Sequence, residues 1–260
     1  MQFSVRYILI FSTIVCFICA IMVSGSAVTL RERQAVNEAL EKQRNVLEAA
    51  GLVKPGEKVS REQVQKLFER VKPVIVELAT GKESTDVDPA TFDQQKAKKD
   101  PATSHEAPPN NSAIFRLPNH ALVYHLLSEA GEVEKVVLPI EGYGLWGTLY
   151  GFLSLAADGR TVEGLTFYSH KETPGLGGEV DNPRWKALWP GREAYDASWQ
   201  PKLAVVKGPA GSPADDPHHV DGLSGATITS RGVSNMLAFW LGPDGFGPYL
   251  EQFRQTRRAA

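Results

Sequence analysis

Hydrophobic and polar positions divide the chain into stretches of different period. From Tyr7 to Val28 no residue is charged and most are apolar (YILIFSTIVCFICAIMVSGSAV). A helix of that length spans ~33 Å, about the hydrocarbon thickness of a bilayer. A cleaved signal would have a shorter apolar core and a small-residue cleavage site, for which Ser24, Gly25 and Ser26 are available. The length of the run and its weakly charged prelude favour an uncleaved anchor, so residues 1–29 are expected to form one membrane span. Arg6 precedes the run and Arg31 and Arg33 follow it. More positive residues follow the run than precede it, which on charge alone favours a cytoplasmic domain, but this rule weakens when a long domain must cross.

Beyond the span the period becomes helical. Leu30, Val36, Leu40, Leu47 and Ala50 form a loose stripe, and Gly51 offers a C-terminal stop. Ser60 with Gln63 fits a capping box, ahead of Val64, Leu67, Phe68 and Val71 on one face. Val74, Val76 and Leu78 alternate, which predicts a strand over Lys72–Leu78 and closes a lead-in of residues 30–80. Residues 81–113 are polar and rich in Asp, Lys, Pro and Asn, and read as a surface excursion or flexible insertion.

Regular patterns return at Ile114 and define a domain over residues 114–260. Strands are predicted at Ala121–Leu127, Val133–Ile140, Gly147–Ala157, Thr161–His170 and Lys202–Val206, with a hairpin at Asp158-Gly159. A short helix is predicted after Asn182-Pro183, a long one over Ala226–Leu241, and an amphipathic one over Tyr249–Arg258. Strands with helices at both ends give an α+β fold, an antiparallel sheet with flanking helices behind one N-terminal transmembrane helix.

Composition narrows the chemistry. The 260 residues carry a formal net charge of −2, which argues against nucleic acid as a partner. The only cysteines, Cys16 and Cys19, lie inside the apolar run. The rest of the chain therefore has no disulfide framework and no cysteine-based metal or iron–sulfur site. No glycine-rich dinucleotide fingerprint is present, so NADH is not expected to bind this chain. His218 and His219 lack an evident third metal ligand.

One stretch stands out, DGLSGATITS from Asp221 to Ser230. It sets four hydroxyls among small residues, just ahead of a long helical pattern. Free amides and the helix dipole favour an anion at such a place. The same residues could equally be helix caps and a simple turn. A second stretch, SHKETPGLGGE from Ser169 to Glu179, follows a predicted strand, and its Pro and Gly residues force a tight exposed turn. A third, EGYGLWGTLYG from Glu141 to Gly151, starts another strand.

DGLSGATITS resembles the flavinylation motif of the FMN-binding domain family: an Asp, two residues, Ser or Thr, Gly, Ala, then the acceptor. Asp221, Ser224, Gly225, Ala226 and Thr227 fill it without a gap. In that family a flavin transferase places FMN, through its phosphate, on the acceptor. The resemblance implies covalent FMN on Thr227, with Thr229 as the fallback, and Asp221 as part of what the transferase recognises. Thr173, Gly175, Leu176 and Gly177 of the ETPGLG turn would pack on or bond to the ring, and Glu172 would accept from its N–H groups. Leu145 and Trp146 would flank the ring, and Lys207 would neutralise the phosphate. No residue is expected to be catalytic in its own right, and no metal is expected.

The arrangement of span, helical lead-in, insertion, turn and motif resembles, over almost the whole chain, the NqrC family of sodium-translocating NADH:quinone reductases. That resemblance implies an electron-relay subunit in a bacterial inner membrane, with its soluble domain in the periplasm and the other subunits of the Nqr complex as partners. The RnfG proteins of Rnf-type electron-transport complexes share the motif and the turn, but are generally shorter before the sheet. A stand-alone extracytoplasmic flavoprotein is a further alternative.

Overall fold

The computed structural model describes residues 4–259. They fall into two compact units, one ending at Lys42 and the other beginning at Gln43.

From Val5 onward the first unit is helical. It belongs to α1 (Val5–Ala49), whose apolar part has a mean hydropathy of 2.6 and is long and apolar enough to cross a membrane. The helix predicted to begin at Leu30 is therefore no separate element. Ser24, Gly25 and Ser26 do not interrupt α1, because the Thr29 hydroxyl bonds back to the carbonyls of Gly25 and Ser26 and the ladder continues.

The second unit opens with the last turns of α1, which bury Val46, Leu47 and Ala49, and Gly51 turns the chain away in the left-handed region (φ 74°). α2 (Arg61–Phe68) begins with the capping box read from the sequence: Ser60 Oγ accepts from the Gln63 amide, and the Gln63 side chain accepts from the Ser60 amide.

The centre is a six-stranded antiparallel sheet. Its strands are β1 (Val71–Glu77), β2 (Glu83–Ser84), β5 (His120–Leu127), β6 (Val133–Tyr143), β7 (Thr148–Ala156) and β8 (Val162–Ser169), in the order β2-β1-β5-β6-β7-β8. β1 does not simply alternate, since Val74, Ile75 and Val76 are all buried. Both faces of the sheet are covered there, which removes the solvent face that alternation presumes. Across the sheet lie α5 (Thr227–Trp240) and α6 (Gly247–Ala259), whose Val233, Met236, Leu237, Trp240 and Leu250, with Phe246 from the turn between them, join Val123, Leu138, Leu153 and Leu165 in one core. α5 packs on β6 at close range. A β-carbon on Gly142 would sit 2.7 Å from Met236 Cβ. This approach brings the first turn of α5 beside the β6–β7 loop.

The polar insertion is ordered and docked. It contains α3 (Gln94–Lys99) and β3 (Ser104–Glu106), and β3 pairs with β4 (Arg116–Pro118). Gln95 and Lys98 both bond the buried carboxylate of Glu141 on β6, and Gln94 Oε1 accepts from the Leu122 amide. These partners are distant in sequence, so composition alone reads the segment as loose. The strand predicted at Lys202–Val206 is the two-residue β9 (Ala204–Val205), paired in parallel with β10 (His219–Val220) outside the main sheet. α4 (Pro183–Lys186) starts at the expected Asn182-Pro183, with the Asn182 side chain as its cap.

Candidate functional site

Three segments meet at the head of α5: the helix start itself, the β6–β7 loop at Gly144–Gly147, and the turn after β8 at His170–Gly178. α5 begins without a side-chain cap. Its N-cap is Ala226, and neither Ser224 nor Thr227 bonds the first turn. The hydroxyls of DGLSGATITS are thus not spent on capping. Ser230 Oγ accepts from the Leu223 amide, which folds the Leu223–Ala226 turn back on the helix. Gly225 supplies the left-handed backbone this turn needs (φ 71°).

Thr227 and Thr229 differ sharply. Thr227 is exposed at the first helical position. Thr229 is fully buried, and its hydroxyl donates to Glu172 Oε2 at 2.5 Å. Thr227 also lines a cleft of about 630 Å³, shared with Ser224, Gly225, Lys207 and Arg231. Two cations therefore face the space beside the free hydroxyl. Arg231 does not stand out in the sequence, where it reads as part of a solvated helix face. Its spacing of four residues from Thr227, one helical turn, was the available signal.

The ETPGLG turn is held by its own backbone. The Thr173 carbonyl accepts from the amides of both Leu176 and Gly178, and Gly175 takes a positive φ of 76°. Thr173, Gly175 and Leu176 are exposed, and Leu176 lies against Gly225. Leu145 and Trp146 are exposed as well, Trp146 at 62%, so this tryptophan is not a core residue. Ile228 adds a further exposed apolar side chain on α5.

One expectation changes. Glu172 does not face outward to meet a ring. It is buried, and its carboxylate accepts from the amides of Leu145 and Trp146, 2.9 Å each, and from Thr229. Asp221 is half-buried: Oδ1 accepts from the Ala210 amide and its carbonyl accepts from the Trp185 indole. This carboxylate orders the loop that carries Lys207. His218 Nδ1 meets the Glu193 carbonyl, and His219 Nδ1 meets Asp216, whose carboxyl this bond holds below the usual range.

The residues fit a flavin mononucleotide. Lys207 and Arg231 suit a phosphate, the uncapped helix start adds oriented amides, and Leu145, Trp146, Leu176 and Ile228 offer apolar surface to a flat ring.

Comparison with known proteins agrees. A family profile described as "FMN-binding domain" matches residues 144–242. The C subunit of the Na(+)-translocating NADH-quinone reductase of Pseudomonas aeruginosa is 45% identical over 98% of this chain and 98% of its own length. Its counterpart of the same name in Yersinia pestis is 44% identical over 97% of this chain and 94% of its own length. The crystal structure of Shewanella oneidensis NqrC superposes with a TM-score of 0.77 at 35% identity, covering 85% of this chain and 99% of that one. Identity at this level over nearly the full length, with a matching fold and an FMN-binding segment that spans all three parts of the site, means that the chain belongs to the NqrC family of Na+-translocating NADH-quinone reductases.

Proposed function

We propose that this chain is an electron-relay subunit that carries one FMN esterified through its phosphate to Thr227. The observation that carries the reading is the contrast within ATIT. Thr227 offers an exposed hydroxyl in a cleft with Lys207 and Arg231, while the Thr229 hydroxyl is buried and committed to Glu172. In the attachment step, Thr227 Oγ1 bonds to the FMN phosphorus of FAD and loses its proton. The pyrophosphate bond breaks and AMP leaves. A flavin transferase is the partner for this step.

The chain's own groups divide the work. Lys207 and Arg231 offset the phosphate charge, and Ser224, Gly225 and Ala226 leave the approach to Thr227 uncrowded. Leu145 and Trp146 on one segment, with Thr173, Gly175 and Leu176 on another, supply the walls for the ring, while Gly177, expected beside the ring, is buried against Glu172 and Thr229. Asp221 acts by holding the Lys207 loop, and Glu172 acts from below. When bound, FMN supplies reversible one- and two-electron transfer, and the protein supplies its position and surroundings.

In this reading residues 1–29 anchor the chain in the bacterial inner membrane and residues 114–260 carry the flavin. The soluble part lies in the periplasm, and the other subunits of the complex provide and withdraw electrons. The apolar helix and the family membership support the membrane assignment. Co-expression of the full chain with a flavin transferase, followed by denaturing electrophoresis under ultraviolet light and intact-mass measurement, tests the central claim. A fluorescent band with a mass increment of one FMN is expected. An unmodified mass would refute it. Protease added to intact spheroplasts should cut the soluble part, and full protection would reverse the orientation.

A further inference from the structure

Glu172 lies in the turn after β8 with its side chain directed inward. Only 5% of it is exposed, and its three partners are two amides and a hydroxyl, none of them charged. The chain has made room for it on both sides. A β-carbon on Gly144 would sit 2.6 Å from Oε1, and one on Gly177 would strike Oε2 while lying 2.6 Å from Thr229 Oγ1. Its backbone is fixed too, since the Glu172 amide donates to His170 Nδ1. One carboxylate thus joins all three segments of the site: the Gly144–Gly147 loop through the Leu145 and Trp146 amides, the turn through its own backbone, and α5 through Thr229.

We propose that Glu172 is the positioning residue of the flavin site, and that its fixed negative charge lowers the reduction potential of the flavin held there. The inference rests on the reading of Thr227 as the FMN acceptor. Geometry explains the positioning. Thr229 is two residues from Thr227 on one rigid helix, so the bond from Thr229 fixes where the acceptor sits relative to Leu145, Trp146 and Leu176. The two amides and the hydroxyl that donate to this carboxylate carry no formal charge, so no cation pairs with it. A flavin gains negative charge on reduction, and a fixed anion nearby opposes that gain.

The test uses the full chain in detergent, produced with a flavin transferase. Glu172→Gln keeps the shape and one acceptor oxygen for the two amides but removes the charge. Its flavin midpoint potential, measured by spectroelectrochemistry, is expected to shift upward, with flavin content near that of the wild type. Glu172→Ala removes the acceptor. In a flavin-free Thr227→Val background, hydrogen exchange in peptides covering Gly144–Gly147 is expected to quicken by about tenfold or more. An unchanged potential in Glu172→Gln refutes the electrostatic part, and unchanged exchange in Glu172→Ala refutes the positioning part. If Glu172→Ala does not fold, a Glu172→Asp variant, one methylene shorter, takes its place in the exchange arm with the same expected direction. A wild-type chain without flavin would defeat the proposed function, while the exchange arm would still decide the role of Glu172 in the fold.

Discussion

Thr227 and Thr229 stand two residues apart on α5 and face opposite environments, one solvent and the other the buried carboxylate of Glu172. The pair predicts opposite phenotypes. Thr227→Val should lose all covalent flavin yet shift stability by no more than about 1 kcal/mol, because its hydroxyl caps nothing. Thr227→Ser should keep the flavin. Thr229→Val should retain an acceptor at Thr227 but lose roughly 1.5–3 kcal/mol, the scale of a hydrogen bond to a buried charge. In-gel fluorescence and thermal melts of the same samples separate the two.

Lys207 and Arg231 should act on loading and leave folding alone. Both are exposed in the Thr227 cleft. Replacing either by Ala is expected to slow flavin incorporation, and replacing both should slow it further, with melting temperatures unchanged within about 2 °C. A time course of fluorescence after mixing purified chain, FAD and transferase reads the effect, and its sensitivity to salt should fall in the double variant.

The last turn of α1 is tied to the sheet by a buried ion pair. Lys186 Nζ lies 2.8 Å from Glu48 Oε1 and 2.9 Å from Thr166 Oγ1. Lys186→Met would leave the Glu48 carboxylate to Arg44 at 3.9 Å. Breaking such a pair from one side should cost about 3–5 kcal/mol, whereas Glu48→Met with Lys186→Met should recover much of the loss. Urea unfolding of the four-member cycle gives the coupling directly.

Acid should weaken the fold through His125. This side chain is buried against the Tyr249 hydroxyl, 2.6 Å away. Burial first, then the positive charges of Lys72 and Arg257, lower its pKa from 6.5 to about 4. The unfolded chain takes up the proton near 6.5 and the folded chain near 4. Stability from this group is therefore complete above pH 6.5 and is lost as pH falls toward 4, up to about 3 kcal/mol in all. His125→Gln should flatten the pH dependence of melting across that window.

Local signals in the sequence were legible where the partners are local. The Ser60–Gln63 box, the Asp158-Gly159 hairpin and the Asn182-Pro183 helix start all depend on residues a few positions apart, and each lies where the pattern put it. The docking of residues 81–113 was not legible, because Gln95 and Lys98 reach Glu141 more than forty positions away. The site divides in the same way. Thr227 belongs to a contiguous motif, whereas the inward turn of Glu172 is set by partners 26, 27 and 57 residues distant. Only the folded sheet brings these together. Arg231 is not legible as a phosphate partner, because an arginine on a helix is ordinarily solvated and the cleft it shares with Thr227 exists only in the fold.

The bare N-terminus of α5 has a consequence for maturation. Ala226 leaves the opening amides of that helix with no side-chain cap, at a position where Ser or Thr would supply one. A phosphate fixed to Thr227 would bring a negative charge to the positive end of the helix dipole. Loading would then finish the domain as well as equip it. Flavin-free chains should melt at a lower temperature than loaded ones, and a cell could tell immature subunits from mature ones by stability alone.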